Sequence, residues 1–304
     1  MGVPSKSPVA HYGGKANMVG HILPLIPPHE LYCEPFCGGA NVFWSRPLLA
    51  SGQPPSPIEV LNDLNRDLIN FYRVFKDNPD RLVAMIAGTL HSRAEFDRAR
   101  DVLRKPADHD ATTRAWAYWV TACMSYNGKG NNYAFGNKLP SDRPKRFDRC
   151  TRSTANRREA LQVVDAGGVN VWAKRLALVN AECKDALYCI KTYDTKRSFF
   201  YCDPPYINTE QGNYAGYGEP PYIALLETLA GIKGKFILSS YPNAILALAV
   251  AEYGWRVDSF DKSLSAAKAV DGKRVERRTE LLVRNFDDNI LIGAPASNRS
   301  FQLF

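Results

Sequence analysis

SFFYCDPPY (198–206) is the stretch on which the reading of this chain turns. Ser198 to Cys202, mostly apolar or aromatic and of strand type, would carry Asp203 to a strand's C-terminal end, where open α/β sheets hold their ligands. Pro204 and Pro205 then fix φ, disfavour helix at the residue before each, and withdraw two backbone donors. The product is a stiff corner offering a carboxylate, carbonyl oxygens and the ring of Tyr206. That set suits a flat heterocycle with an amino group: oxygens accept the amine's hydrogens while the ring stacks on the base. A surface turn with a stacked tyrosine has the same local sequence, so the rest of the chain must decide.

Upstream, residues 29–34 read as a strand that enters the turn Pro35-Phe36-Cys37-Gly38-Gly39, and a helix is expected from Ala40 to about Leu49. A second short strand, Ile58 to Leu61, ends at Asn62-Asp63. Leu64, Leu68, Ile69, Tyr72 and Phe75 follow at helical spacing. This β-α-β-α order predicts an α/β fold with a doubly wound, mostly parallel sheet. From Pro79 to Met124 only helical periodicity is found. Residues 127–137 have hairpin character, and the basic run Lys138 to Arg158 reads as loop. A helix over Val169 to Val179 leads back to the sheet. Strand signals resume at 198–202, 235–239, 255–260 and 280–286. The expected organisation is one α/β domain built from residues 1–75 and 181–304, interrupted by a mainly helical, basic insertion over 76–180.

At 304 residues, 45% hydrophobic and 23% charged, the chain has the composition of an ordinary globular protein. No apolar run approaches the ~18 residues of a membrane span, and the N-terminus lacks the apolar centre of a signal peptide. Seven cysteines without framework spacing read as reduced thiols of a cytoplasmic protein, and no cluster suggests a metal. The net charge is +8, and residues 121–160 alone hold nine Lys/Arg against three Asp/Glu, a net of +6. Such concentration favours a surface for phosphate backbones over a scatter of solvated charges.

The glycine turn stands where a first strand passes into a first helix, and glycines there let backbone approach a ligand closely. Asp63, at the end of the second strand, is placed as acids that grip ribose hydroxyls are; the same acid could cap the following helix. Lys15, in Tyr12-Gly13-Gly14-Lys15, could meet a carboxylate or simply be an exposed lysine.

Taken together, HYGGK (11–15), EPFCGGANVF (34–43), NDLNRDLINFY (62–72), YNG (126–128), AFG (134–136), FYCDPPY (200–206), KFILSS (235–240) and RTELLVRNF (278–286) resemble the Dam-like adenine DNA methyltransferases, in the group whose motif order is cofactor, target recognition, catalysis. The resemblance implies a Rossmann-like methyltransferase fold, an inserted helical target-recognition domain and S-adenosylmethionine as methyl donor. Lys15 would contact the donor's methionine end, with His11 where the family usually has tryptophan. Glu34, Pro35, Phe36, Gly38 and Gly39 would line the donor pocket, Asp63 would hold the ribose hydroxyls, and Asp185 would contact the adenine ring. Asp203, Pro204, Pro205 and Tyr206 would form the catalytic corner, with Asp203 touching the donor side as well. The substrate would be the exocyclic amine of adenine in double-stranded DNA, in a restriction-modification setting, and the protein is expected to be a monomer.

Chemically, the amine is a poor nucleophile because its lone pair is delocalised into the ring. Asp203 and the Pro204 carbonyl would accept its hydrogens and stabilise the charge that develops, while in-line placement supplies further acceleration. Neither a covalent intermediate nor a metal is required. The base has to leave the stack, with Tyr206 holding it and Tyr126 bracing the gap beside Asn127. Lys129, Lys138, Arg143, Lys145, Arg146, Arg149 and Arg152 are the candidate phosphate contacts. Only Lys129 to Tyr133 separate YNG from AFG, a shorter hairpin than the one that reads GATC in Dam-type enzymes, so a different or looser specificity is expected. Methylation of RNA or another amine, and a non-catalytic DNA-binding relative, are the alternatives. An oxidoreductase lacks its GxGxxG.

Overall fold

Residues 7–46, 48–49, 51, 53–125, 128–134, 149–207, 217–263 and 277–287 are described by a computed structural model, without the side chains of 149–150, 262–263 and 277–278. In chain order the elements are α1 (Val19–Ile22), β1 (Leu31–Glu34), α2 (Asn41–Trp44), β2 (Ile58–Asn62), α3 (Arg66–Asp77), α4 (Pro79–Ala87), α5 (Arg93–Arg104), α6 (Ala111–Cys123), α7 (Arg149–Leu161) and α8 (Val171–Leu176). They continue with β3 (Asn180–Glu182), α9 (Ala186–Tyr193), β4 (Ser198–Cys202), α10 (Glu219–Ala230), β5 (Lys235–Ser240), α11 (Ala244–Tyr253), β6 (Arg256–Ser263) and β7 (Arg277–Arg284). This is a mixed α/β protein whose strands are mostly parallel, consistent with the Rossmann-like fold expected above. The chain divides into two compact units, Met1–Leu23 with Phe36–Ala186, and Pro24–Pro35 with Leu187–Phe304.

In the second unit the strand order is β1-β4-β5-β7-β6. β4 runs parallel to β1 (Tyr32 opposite Phe199) and to β5 (Tyr201 opposite Ile237), while β7 is antiparallel to both β5 and β6. All five residues of β4 are buried, which explains a continuous apolar run in place of alternation. Asn243 caps α11 by accepting from Leu246 N, and Gly254 closes it in the left-handed conformation at φ 66°.

In the first unit β2 and β3 pair in parallel, with Asn62 opposite Glu182. β3 has three residues, none fully buried, and no apolar pattern, so only its pairing to β2 makes it a strand. The helices gather around α6, whose residues are almost all buried and which touches α3, α4, α5 and α7. Its indoles are satisfied: Trp116 Nε1 donates to Thr89 Oγ1 at 2.8 Å and Trp119 Nε1 to the Pro8 carbonyl at 3.0 Å.

Several expectations need correction. The first helix is only Asn41–Trp44 rather than 40–49; Ala40 sits at φ 50°, and the proline at 47 disfavours helix just before it. Leu64 is not part of the α3 stripe and is 68% exposed, because Asn65 accepts from Asp67 N and Leu68 N and starts the helix after itself. Asn65, therefore, and not Asp63 or Asn62, is the cap. The helix expected over 169–179 is Val171–Leu176, started by the Asn170 cap. Residues 149–158, read as loop, lie in α7. That segment has no Gly or Pro but is polar nearly all round, so it has helix-forming residues without an apolar stripe to reveal them. Tertiary contacts hold it: Thr154 Oγ1 donates to the Cys123 carbonyl at 2.9 Å, and α7 touches α4 and α6. The hairpin expected over 127–137 lies partly outside the described residues, but Ser125 and Tyr133 do form an antiparallel bridge.

A buried charge group also shapes this unit. Arg46 Nη1 and Glu59 Oε1 are 2.7 Å apart, Arg46 Nη2 donates to Ser56 Oγ at 2.5 Å, and Arg175 pairs with the other oxygen of Glu59 while lying 4.0 Å above the Phe43 ring. One carboxylate thus serves two interior guanidinium groups. Glu59→Gln leaves both uncompensated and is expected to cost about 3–5 kcal/mol, by analogy with breaking a buried pair from one side. Urea unfolding would read this as a lower midpoint, and an unchanged midpoint would show that the arginines find other compensation.

Candidate active site

The corner begins with β4. Because that strand has a parallel neighbour on each side, its C-terminal end projects the next residue, Asp203, beyond the ladder. Asp203 is half-buried, Pro204 buried, and Tyr206 only 7% exposed. The Tyr206 ring meets Tyr241, just past the end of β5, edge-on at a centroid distance of 4.5 Å. Its hydroxyl donates to Glu280 Oε1 at 2.9 Å and lies 3.2 Å from Asp203 Oδ1, a longer second donor contact. Glu280, on β7 opposite Phe260, is 1% exposed. Below it, the Tyr201 hydroxyl and Ser239 Oγ are 2.8 Å apart. Glu34, at the end of β1, is buried and accepts from the Tyr32 hydroxyl at 2.7 Å.

This end of the sheet is therefore acidic. Burial, and then the negative charges of Asp203 and Glu280, raise the Tyr206 phenol well above its ordinary pKa. Burial and the charges of Asp203, Glu34 and Glu280 do the same to Tyr201, against the opposing bond from Ser239. Burial and Asp203 likewise push the Cys202 thiol up, so it is protonated and a poor nucleophile. What the corner offers is negative potential and neutral phenol donors, an environment that favours a group becoming positively charged.

In the first unit a second constellation forms at the glycine turn. Asp63 Oδ2 accepts from Gly38 N at 3.0 Å, and Oδ1 accepts from Asn65 N at 2.9 Å. The Tyr72 hydroxyl donates to the Gly38 carbonyl at 3.0 Å, and Gly38 has φ 46°. A Cβ on Gly38 would lie 2.7 Å from the His11 ring, so only glycine admits that ring. The Asn62 side chain exchanges two bonds with Lys184, donating to its carbonyl at 3.0 Å and accepting from its N–H at 2.9 Å. That places exposed Asp185 at the same strand end as Asp63. Lys15 is buried, with Nζ donating to the Gly13 carbonyl at 3.4 Å.

The structure thus brings His11, Gly38, Gly39, Asp63 and Asp185 together around the ends of β2 and β3, and Glu34, Asp203 and Tyr206 around the end of β4. Pro35 and Phe36 are the first two residues of the glycine turn. Lys129 is half-buried with Nζ 4.4 Å from the centre of the Tyr12 ring, and Arg152 is exposed on α7. Gly128, at φ 73°, lies so close to His11 that a Cβ there would be 3.1 Å from its backbone. Tyr126, Asn127, Lys138, Arg143, Lys145 and Arg146 lie outside the described residues, as does the side chain of Arg149, the first residue of α7. Sequence reasoning missed Glu280. Its one signal is an acid inside the apolar strand run ELLV, where carboxylates are buried only if partnered. Among the described residues no group of His, Cys, Asp or Glu is placed to hold a metal ion, and no helix is long and apolar enough to cross a membrane.

The raised tyrosines make an alkaline prediction. Each stays neutral in the fold, while an unfolded phenol ionises near a pKa of about 10. Their contribution is complete below that pH and is lost as pH rises above it, because the unfolded state then binds fewer protons. Tyr206→Phe is expected to make the decline of stability above about pH 10 shallower. Denaturant titrations at several alkaline pH values measure it, and an identical slope would show that Tyr206 ionises in place.

Comparison with known proteins adds a family to this geometry. Residues 11–222, which include the glycine turn, Asp63, Asp185 and the Asp203–Tyr206 corner, match the family described as D12 class N6 adenine-specific DNA methyltransferase. The type II methyltransferase M1.LlaDCHI of Lactococcus lactis subsp. cremoris is 39% identical over 82 residues, 27% of this chain and 25% of the relative. The modification methylase StsI of Streptococcus sanguinis is 25% identical over 215 residues, 69% of this chain and 30% of the relative. The chain therefore spans less than a third of the length of either. Since the family match covers well over half of the sequence, the chain belongs to the D12 class N6 adenine-specific DNA methyltransferases.

Proposed function

We propose that the protein transfers a methyl group from S-adenosylmethionine to the exocyclic N6 amine of adenine in duplex DNA, with the base flipped out of the helix and the transfer direct. The observation that carries the reading is the half-buried carboxylate of Asp203, held at the end of β4 beside a tyrosine in acidic surroundings. When bound, the donor supplies an electrophilic methyl on a positively charged sulfonium.

The residues fit such a group. Asp63 spends one bond on Gly38 and one on Asn65, and a carboxylate has roughly four acceptor sites, so capacity for ribose hydroxyls is left. Gly38 and Gly39 leave close backbone approach, Asp185 lies near Asp63, and Lys15 and His11 belong to the segment packed on the turn. In this reading His11, Lys15, Phe36, Gly38, Gly39, Asp63 and Asp185 bind the donor. Asp203 and the Pro204 carbonyl accept the amine's hydrogens, so the nitrogen lone pair is directed outward and the developing positive charge is met by a carboxylate. Tyr206 takes the extruded base on its ring. Cys202 forms no covalent intermediate, being buried and protonated. Residues 76–180 act as the target-recognition domain, with Tyr126 and Asn127 at the vacated gap and the basic residues on phosphates.

Asp203→Ala is expected to lower tritiated methyl transfer into duplex DNA by roughly two to three orders of magnitude, the scale for removing one preorganised electrostatic group, with donor binding reduced far less. Wild-type turnover in that variant would remove Asp203 from its role, and equal labelling of RNA would broaden the substrate. Arg152→Ala is expected to weaken DNA binding independently of sequence and to reduce the slope of log affinity against log salt by about 0.9. An unaltered slope would take Arg152 off the phosphate path.

A further inference from the structure

A phenol has one proton to donate, and at the Tyr206 hydroxyl two carboxylates stand within reach of it. Glu280 Oε1 is the nearer at 2.9 Å and Asp203 Oδ1 the farther at 3.2 Å. A strong bond to one weakens the bond to the other. Glu280 is 1% exposed, and burying a carboxylate is costly unless hydrogen bonds compensate it. It also lies beyond residues 11–222, the part that the family match covers. Its place follows from strand register: β7 pairs with β5 through Leu281 opposite Ser240, which sets Glu280 beside Tyr241, the residue whose ring abuts Tyr206.

We propose that Glu280 is a positioning residue for methyl transfer: by accepting the shorter hydrogen bond from the Tyr206 hydroxyl it holds that ring in place and weakens the competing bond from that hydroxyl to Asp203, the group read as acceptor of the substrate amine's hydrogens. The inference rests on the reading of Asp203 as the amine's acceptor. With Glu280 present, Tyr206 is held from its hydroxyl end by a group outside the catalytic corner and from its edge by Tyr241. Without it, the phenol donates its hydrogen bond to Asp203 instead, and the carboxylate that accepts it offers the amine a weaker acceptor. Among the described residues, the charged and titratable groups around the pair include Glu34 from β1, Tyr201 and Cys202 from β4, Tyr241 just after β5, Asp203 itself and Glu280 from β7. Loss of the Glu280 charge removes a like charge, and the redirected phenol proton stabilises the Asp203 carboxylate. Both effects favour the ionised form, so the acid limb of the rate profile moves to lower pH.

The test is single-turnover methyl transfer to duplex DNA by Glu280→Gln, Tyr206→Phe and the double variant, across pH. Glu280→Gln is expected to slow transfer about tenfold or more with DNA affinity nearly unchanged, and to shift the acid limb downward. In the Tyr206→Phe background the same change is expected to cost less than about threefold, since the coupling passes through the hydroxyl. Equal losses in both backgrounds, a wild-type rate in Glu280→Gln, or an unmoved acid limb would each overturn the proposal. Should Glu280→Gln not fold, Tyr206→Phe with Glu280→Leu removes donor and acceptor together; a rate within about threefold of Tyr206→Phe supports the coupling and a further loss overturns it. Asp203→Ala in the same series separates the two claims. Turnover by that variant sinks the acceptor role on which this inference rests, whereas an inactive Asp203→Ala beside an uncoupled Glu280 sinks this inference alone.

Discussion

Strand β4 lies between two parallel neighbours and has no residue open to water. That constraint sets where polar side chains can stand. Along the strand every side chain is packed, and a buried large apolar side chain contributes about 1.5–3 kcal/mol, so the segment tolerates polar groups only where its ladder ends. There the chain meets Asp203, and the two prolines after it stop both strand and helix from continuing. Tyr206 is returned against Tyr241 at the end of β5, so the corner is anchored on two adjacent strands.

The electrostatics of the molecule separate into two tasks. Excess positive charge is concentrated in residues 121–160, suited to a polyanion, whereas the end of β4 gathers Glu34, Asp203 and Glu280. Acids at that strand end do not help bind phosphate. They do favour a group that carries or gains positive charge. Burial, with these acids adding to it, keeps Tyr201 and Tyr206 neutral, and hence donors, at any ordinary pH. The glycine turn works by a different means, using backbone shape: Asp63 and Tyr72 hold Gly38 from its N–H and its carbonyl, while His11 fills the space that a side chain would need.

Local patterns carried much of this. The buried run before Asp203, the turn at Gly38 and Gly39, the acid at the end of β2 and the amphipathic stripe of α3 are each written within a dozen residues, in the period of 2 or 3.6 or in turn chemistry. What could not be read is equally specific. α7 has good helix formers but no stripe, and its place depends on Thr154 reaching Cys123. β3 has no strand signal of its own and exists through its register with β2. Leu64 matched the helical period but falls before the Asn65 cap, where a side-chain oxygen outweighs apolar spacing.

By itself the amino-acid order determined the α/β class, the position of the carboxylate-proline-tyrosine corner and the family, because these depend on neighbours along the chain. Only the tertiary structure decided which distant groups complete each constellation. Glu280 reaches Tyr206 across 74 residues, Lys184 is tied to Asn62 across 122, and Gly128 closes on His11. Such pairings follow from strand register and from the need to satisfy buried polar atoms, and neither leaves a periodic trace in the sequence.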